Sequence, residues 1–183
     1  MRDLAAPILS RHTIQPSMSA MSANTLTIRP AGPADDAFFA ALYRSTRGDL
    51  LALPADPAMI DGLVAMQQRM QVAGYRDSYP DAQYQVFELD GVAVGRLVTA
   101  LVDGAMRVVD IAVLPQARGH GVAGEALRRL QAQAAAEGRG LALAVRRDNA
   151  TARRLYAALG FAVEGENDLD LELRWCAQSC SSV

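Results

Sequence analysis

Three glycines follow a short apolar segment in the middle of the chain, and their spacing suits the binding of a phosphate group. Residues 108–114 are mostly apolar and rich in β-branched side chains, which predicts a buried strand. Gly119, Gly121 and Gly124 lie between this strand and the body of a predicted helix. Glycine lets backbone N–H groups approach an anion closely, and a helix N-terminus adds unsatisfied N–H donors and the positive end of its dipole. The segment therefore predicts a diphosphate site.

Two kinds of diphosphate carrier are compatible with these glycines. Residues 119–124, GHGVAG, fit the G-x-G-x-x-G pattern of dinucleotide-binding proteins. That pattern needs a tight turn after the strand and an acidic residue about 20 positions later, which binds the ribose. Here residues 115–118 lengthen the turn, and Arg146 and Arg147 follow the next predicted strand before a carboxylate appears at Asp148. A dinucleotide is therefore disfavoured.

Two motifs resemble those of the GNAT superfamily of acyl-CoA-dependent N-acyltransferases. Residues 116–121, QARGHG, fit the Q/R-x-x-G-x-G/A pattern of the acyl-CoA loop. Residues 149–161, NATARRLYAALGF, fit the closing pattern N-x-x-A-x-x-L-Y-x-x-L-G-F. One predicted helix and one predicted strand separate the two motifs, in the order of the family. The resemblance covers about residues 25–175 and is to a bacterial-type small GNAT protein of unassigned substrate.

The resemblance implies an α+β fold with α/β-like features. We expect the GNAT fold, a mixed and mostly antiparallel sheet of about six to seven strands flanked by about four helices. Local patterns agree, because Asp90-Gly91 and Asp103-Gly104 are typical of tight hairpin turns. Gly95, inside the second strand of the hairpins, predicts a bulge or a close backbone approach. Residues 141–145 are apolar throughout and predict a parallel strand covered on both faces, and residues 74–80 are expected to form a loop.

The resemblance also assigns residues to acetyl-CoA, the expected co-substrate. Backbone N–H groups of the loop would hold the pyrophosphate. Arg118 would add charge to a phosphate, unless its side chain is simply solvated, and His120 would lie solvated near the phosphate rather than act as a base. The strand before the loop would pair with the pantetheine arm, Val113 would donate its N–H to the thioester oxygen, and Asn149 would contact pantetheine while capping its helix. The residues expected to bind acetyl-CoA are Ile111, Ala112, Val113, Gln116, Arg118, Gly119, His120, Gly121, Val122, Ala123, Gly124, Asn149 and Tyr156.

Two residues are candidates for catalysis. Tyr156 matches the family tyrosine that protonates the departing sulfur; the alternative is a core tyrosine at helical spacing. Asp110 is the carboxylate within the apolar strand 105–114, where an unpaired charge is costly, and this marks it as a site residue. It would deprotonate an ammonium through water or bind a cationic acceptor, unless it sits at a sheet edge facing solvent. Glu88 and Asp103 are lesser candidates.

Composition restricts the partners. The formal net charge of −2 argues against a nucleic-acid partner, for which a basic surface is expected. The two cysteines, Cys176 and Cys180, form no disulfide framework and favour a cytoplasmic location. No apolar run approaches the roughly 20 residues of a membrane span, and no spacing of ligands indicates a metal site.

We divide the chain into a flexible N-terminal extension (residues 1–24), a single GNAT domain (residues 25–176) and a C-terminal tail (residues 177–183). The extension is either an upstream start ahead of Met18 or Met21, or an arm that packs on a partner subunit. The resemblance implies direct transfer of an acetyl group from acetyl-CoA to a primary amine of a small molecule or protein, and allows a homodimer through the final strands. The alternative is a non-catalytic acyl-CoA-binding sensor or regulatory module.

Overall fold

The computed structural model describes residues 25–177, in which seven strands form one sheet with helices on both faces. The predicted extension and the part of the predicted tail beyond residue 177 lie outside these residues. The strands are β1 (Leu26–Pro30), β2 (Gln83–Leu89), β3 (Val92–Val102), β4 (Ala105–Val113), β5 (Leu141–Arg146), β6 (Ala162–Glu166) and β7 (Asp170–Trp175). The helices are α1 (Asp36–Ser45), α2 (Gly48–Leu51), α3 (Pro57–Ser78), α4 (Val122–Ala136) and α5 (Ala150–Ala158).

The strand order, β1-β2-β3-β4-β5-β7-β6, confirms the predicted mixed sheet. Only β4 and β5 run parallel; every other neighbouring pair is antiparallel. β2, β3 and β4 form a meander because both predicted turns provide the backbone conformation that a two-residue hairpin needs. Asp90 and Gly91 have φ values of 50° and 79°, and Asp103 and Gly104 have values of 49° and 78°.

Helices cover the two faces of the sheet unequally. The main core lies on the face of α4 and α5 and includes the buried side chains of Phe87, Leu97, Leu127 and Leu143. On the other face, α1 and α3 pack against each other through a second, smaller cluster of Tyr43, Ile60 and Val64. The two layers therefore enclose a sheet with a large apolar core on one face and a smaller, more polar interface on the other.

Two local predictions were wrong. Residues 74–80 do not form a loop, because α3 continues to Ser78 and ends at Tyr79, where Pro80 disfavours further helix. The apolar strand β5 is covered on one face only: Leu141, Leu143 and Val145 are buried, whereas Ala144 on the opposite face is exposed. Alanine is small and leaves little apolar surface, so this face needs no covering helix.

Gly95 confirms both features predicted for it. Phe87 pairs with Gly95 and Glu88 pairs with Ala93, so the neighbouring Val94 is the extra residue of a bulge. A Cβ atom at Gly95 would lie 2.6 Å from the carbonyl oxygen of Ala112 and 2.7 Å from Cδ2 of Phe87. Only glycine therefore fits between β2 and β4 at this point.

We expect Gly95→Ala to lower the free energy of unfolding by about 2 to 3 kcal/mol, because the added methyl group forces the backbone of β4 to move. Urea denaturation measures the change. Gly62→Ala in α3 is the matched control, since a Cβ there meets nothing within 4 Å and alanine favours helix by up to about 1 kcal/mol. Equal effects of the two substitutions would contradict the close approach at Gly95.

Candidate active site

β4 separates from β5 halfway along its length. The two strands pair through Met106 and Leu141, Arg107 and Ala142, and Val108 and Leu143, and no further. On the other side of β4, Val98 of β3 pairs with Asp110 and Thr99 pairs with Val108, so Val109 is the extra residue of a bulge. A bulge bends its strand and increases the local twist. The bulge at Val109 therefore coincides with the point where β4 leaves β5.

The separation leaves backbone groups of β4 facing a gap in the sheet. The N–H of Leu114 donates to the carbonyl of Val94 in β3 at 2.8 Å. Because alternate residues of a strand direct their backbone groups to opposite sides, Ile111 and Val113 face away from β3. The carbonyl of Ala112 lies against Gly95 of β3, so of the three predicted pantetheine contacts Ala112 presents its backbone to β3 and not to the gap.

The glycine loop follows directly at the end of this gap. Gly119 and Gly121 have φ values of 78° and 77°, in the left-handed region that favours glycine, and Gly121 is the N-cap of α4. The Nε of Arg118 donates to the carbonyl of Val113 at 2.9 Å, which ties the loop to the end of β4. The ring Nδ1 of His120 lies 3.0 Å from the carbonyl oxygen of Arg118. The loop thus combines left-handed glycines, a helix N-terminus and a guanidinium group beside the open strand.

α5 is held against α4 by a close contact and by polar caps. A Cβ at Gly124 would lie 3.4 Å from Cδ1 of Leu155, in van der Waals contact, so α4 and α5 approach each other closely at this buried position. The side chain of Gln131 donates to the carbonyl of Leu159 at 2.8 Å. As predicted, Asn149 caps α5, since its side-chain oxygen accepts from the N–H of Ala152 at 3.0 Å. These contacts position the one buried tyrosine of α5.

Tyr156 is a buried phenol with a raised pKa. Its ring packs edge-to-face on Phe161, with 5.7 Å between the centroids, and the residue is only 6% exposed. Burial raises the pKa of the hydroxyl to about 12, and the negative charge of Asp110 contributes in the same direction. The fold therefore brings the two predicted catalytic residues close enough to interact electrostatically, although they are far apart in sequence.

Asp110 is not at a sheet edge, so the sequence interpretation that placed it there is wrong. It lies on the central strand β4, and its Oδ2 accepts hydrogen bonds from Nε and Nη2 of Arg96 at 3.0 and 2.8 Å. The hydroxyl of Tyr75 lies 3.5 Å from Oδ1, and Gln71 accepts from Nη2 of Arg96 at 3.4 Å. The ring of Phe39 packs against the same guanidinium, 5.5 Å from its centroid. Arg96 is thus surrounded on several sides and is almost fully buried.

Arg96, the partner of Asp110, was missed by the sequence analysis. A two-residue hairpin without a bulge would pair Arg96 with Ile111, which places the side chains of Arg96 and Asp110 on opposite faces of the sheet. The extra residue Val109 brings the two side chains to the same face, so the hairpin pattern alone does not predict the ion pair. The polar contacts of Tyr75 could not be predicted, because residues 74–80 were expected to be a loop.

A family model described as the acetyltransferase (GNAT) family matches residues 51–161, which include the split strand and the glycine loop and end with the closing motif. The chain belongs to the GNAT acetyltransferase family. The fold and the family both agree with the resemblance found in the sequence. No curated protein sequence matches the chain.

Solved structures of GNAT acetyltransferases share the fold. The PaiA N-acetyltransferase of Thermoplasma acidophilum in complex with coenzyme A is 14% identical, with a TM-score of 0.64, and the match covers 84% of this chain and 99% of that one. YncA of Salmonella typhimurium with acetyl-CoA is 23% identical, with a TM-score of 0.53 and coverages of 83% and 94%. The Escherichia coli ribosomal-protein-S18-alanine N-acetyltransferase is 21% identical, with a TM-score of 0.56 and coverages of 83% and 94%.

Residues 25–177 contain neither a cluster of metal-ligating side chains nor a helix that could span a membrane. In this part of the chain, no group of three or more His, Cys, Asp or Glu side chains is arranged to hold a metal ion. None of the helices described for it is long and apolar enough to cross a membrane.

We expect Asp110→Asn to lower the free energy of unfolding by about 3 kcal/mol, because it leaves the buried guanidinium of Arg96 without a counter-charge. Urea denaturation at neutral pH measures the loss. Asp103→Asn is the control: Asp103 is exposed at a turn with a φ of 49°, a conformation that asparagine also adopts. An Asp110→Asn protein as stable as the control would show that the ion pair is not needed for folding.

Proposed function

We propose that the protein transfers an acetyl group from acetyl-CoA to a primary amine of a small molecule or a protein. The observation that carries the proposal is the open edge of β4 beside the glycine loop, in a chain of the GNAT acetyltransferase family. The split supplies backbone donors, and the loop supplies an anion site at the end of the same strand. A thioester with a long diphosphate-bearing arm matches both features together.

We assign the diphosphate of acetyl-CoA to the backbone N–H groups of the loop and the first turn of α4. The pantetheine arm would add to the sheet in the gap between β4 and β5, pairing with Ile111 and Val113. The N–H of Val113 would donate to the thioester oxygen and stabilise the negative charge that develops there. Asn149 would contact the arm from the start of α5. Loop side chains, including Gln116 and His120, would contribute peripheral contacts.

The reaction balances without an external acid. The amine nitrogen attacks the thioester carbonyl and forms the C–N bond, and the C–S bond breaks with its electron pair on sulfur. The nitrogen loses one proton and the sulfur gains one, so an amine that arrives neutral needs no further proton donor or acceptor. The site must then orient the two reactants, stabilise the oxyanion and stabilise the departing thiolate.

We assign Tyr156 the role of hydrogen-bond donor to the departing sulfur. With a pKa of about 12 the phenol is protonated at neutral pH, so its O–H is available. A free thiol has a pKa of about 8.5, so complete transfer of the phenol proton to the thiolate is unfavourable. The proton that the sulfur keeps therefore comes from the attacking nitrogen, and Tyr156 stabilises the thiolate until it arrives.

Asp110 is better suited to an electrostatic role than to that of a base. Its Oδ2 accepts two hydrogen bonds from the guanidinium of Arg96, which fix the carboxylate beside that side chain. We therefore assign Asp110 the positioning of Arg96 and the maintenance of a protonated Tyr156. An ammonium acceptor would lose its proton to water before attack.

We assign the catalytic domain to residues 25–176. We place the enzyme in the cytoplasm, as the low cysteine content suggests, and in a bacterium, as the resemblance to bacterial-type GNAT proteins suggests. Both small-molecule and protein amines remain acceptor classes, since the similar structures include an enzyme named for acetylating a ribosomal protein. The exposed strand β6 at the sheet edge would supply the surface of a homodimer.

The proposal predicts that the protein binds CoA but not NAD in a calorimetric titration, and that it consumes acetyl-CoA when a panel of primary amines is supplied. Liberated thiol, measured with a chromogenic disulfide reagent, reports turnover. Binding of NAD in place of CoA would overturn the proposal in favour of a dinucleotide protein. Tight CoA binding with no turnover on any amine would identify a non-catalytic sensor instead.

Tyr156→Phe should lower kcat by about 100-fold and leave the affinity for CoA unchanged, because the phenylalanine keeps the packing and removes only the donor. Steady-state kinetics and calorimetry measure the two quantities, and an unchanged melting temperature serves as the folding control. If the substitution weakened CoA binding and left kcat intact, Tyr156 would be a binding residue only.

The raised pKa of Tyr156 predicts how the ionisation of this residue and the stability of the fold depend on pH. The folded state favours the neutral phenol, so the resulting stability is present below pH 10 and is lost as the pH rises through about 12. The difference in absorbance at 295 nm between the wild type and Tyr156→Phe should therefore show no phenolate below about pH 11. A phenolate signal with a midpoint near pH 10 would show that Tyr156 is not buried as described.

A further inference from the structure

A cavity of about 580 Å³ lies between the sheet and the helices α1 and α3, on the face opposite the main core. α3 lines it with residues spaced for one helix face, among them Gln68, Val72 and Arg76. β2 and β3 supply Tyr84 and Arg96 from the sheet. The volume is in the range of sites that hold small organic molecules.

Two hydrogen-bond donors at the sheet side of this cavity lack partners among the described residues. The Tyr84 hydroxyl is buried and makes no hydrogen bond there. Arg96 donates through Nε and Nη2, but its Nη1 makes no hydrogen bond with any described residue, although the side chain is only 4% exposed. The Tyr84 hydroxyl is a buried donor, and such a group is costly when left unpaired. A ligand that accepts hydrogen bonds would satisfy both.

The two donors stand on the same face of the sheet and close together. Tyr84 pairs with Val98, and Arg96 pairs with Val86, so the two side chains are diagonal neighbours across β2 and β3. A guanidinium and a hydroxyl are both hydrogen-bond donors, and a carboxylate can accept from both because it has two acceptor oxygen atoms.

The charges and the apolar surface of the cavity favour the same ligand. Arg69 and Arg76 lie exposed at its lining and form no ion pair with a described residue. Together with Arg96 they outweigh the carboxylates of Asp36, which also lines the cavity, and of Asp110. The remaining wall is largely apolar and includes the ring of Phe39. The lining therefore attracts an anion and accommodates a hydrocarbon body.

We propose that this cavity binds a small carboxylate with an apolar body, its carboxylate accepting hydrogen bonds from Nη1 of Arg96 and from the hydroxyl of Tyr84. The ligand is either the acceptor itself or an effector. In both cases its binding reaches the split strand, because the same Arg96 holds Asp110 on β4. The proposal concerns the binding of a ligand to the cavity, so it can be tested separately from acetyl transfer.

Calorimetric titration of the full-length protein without acetyl-CoA tests the site, with phenylbutyrate as probe and the uncharged phenylbutyramide as its matched control ligand. The carboxylate should bind about tenfold more tightly than the amide or better, because it accepts charge-assisted hydrogen bonds. Equal affinities for the two ligands, or no binding of either, would overturn the proposal.

Variants locate the ligand within the cavity. Tyr84→Phe should weaken phenylbutyrate by about tenfold and change the amide little, and it should not lower the melting temperature, because it removes an unpaired buried hydroxyl. The double variant Arg69→Gln/Arg76→Gln should weaken the carboxylate by about threefold and flatten its salt dependence. Arg44→Gln is the control, since Arg44 lies on α1 with its partner Asp61, away from the cavity. Unchanged phenylbutyrate affinity in Tyr84→Phe would exclude this site.

Two reactions with acetyl-CoA distinguish acceptor from effector. Acetylation of phenylalanine but not of phenylalaninamide, lost in Tyr84→Phe, identifies the ligand as the acceptor. A change in the acetylation rate of benzylamine when phenylbutyrate is added, absent in Tyr84→Phe, identifies it as an effector. Either result supports the site. If the titrations succeed while no amine is acetylated, the cavity proposal survives and the proposed function fails.

Discussion

The proposed catalytic centre depends on the end of the pairing between β4 and β5 halfway along β4. β4 is paired on both sides as far as Val108, and beyond the extra residue Val109 it stays with β3 and leaves β5. A central strand normally has all its backbone groups engaged in the sheet. The bulge frees those of Ile111 and Val113 inside the protein rather than at an outer edge, where they would invite pairing with another chain.

The same bulge orients a charged side chain towards the interior of the protein, and a residue of opposite charge pairs with it there. Beyond Val109 the side chain of Asp110 points to the face of α1 and α3, where Arg96 meets it. A buried charge is strongly unfavourable alone, and removal of either partner leaves the other uncompensated. Tyr75 and Gln71 complete the cluster from α3. The position of β4, the ion pair and the last turns of α3 are therefore linked.

Features set by neighbouring residues were predictable from the sequence, and features set by distant contacts were not. The two hairpins, the glycine loop and the cap at Asn149 each follow from short-range chemistry, and the structure has all of them. The end of α3 does not, because Gly74 weakens a helix locally, whereas contacts with another part of the chain, such as that between Tyr75 and Asp110, favour its continuation. The gap between β4 and β5 could not be derived from local sequence patterns either, since it depends on how β4 pairs with both β3 and β5.

Asp110 illustrates why a residue can be recognised as important before its role is clear. An isolated carboxylate in an apolar strand is costly, which marks the position as a candidate, but the cost alone does not distinguish a base from one partner of an ion pair. The structure shows the ion pair: Oδ2 accepts hydrogen bonds from the guanidinium of Arg96, and the negative charge also contributes to the raised pKa of Tyr156 on the other side of the split. A negative charge there opposes ionisation of the phenol and so keeps its O–H available, as the role that we propose for Tyr156 requires. In that proposal the carboxylate contributes through its charge and not by carrying the proton.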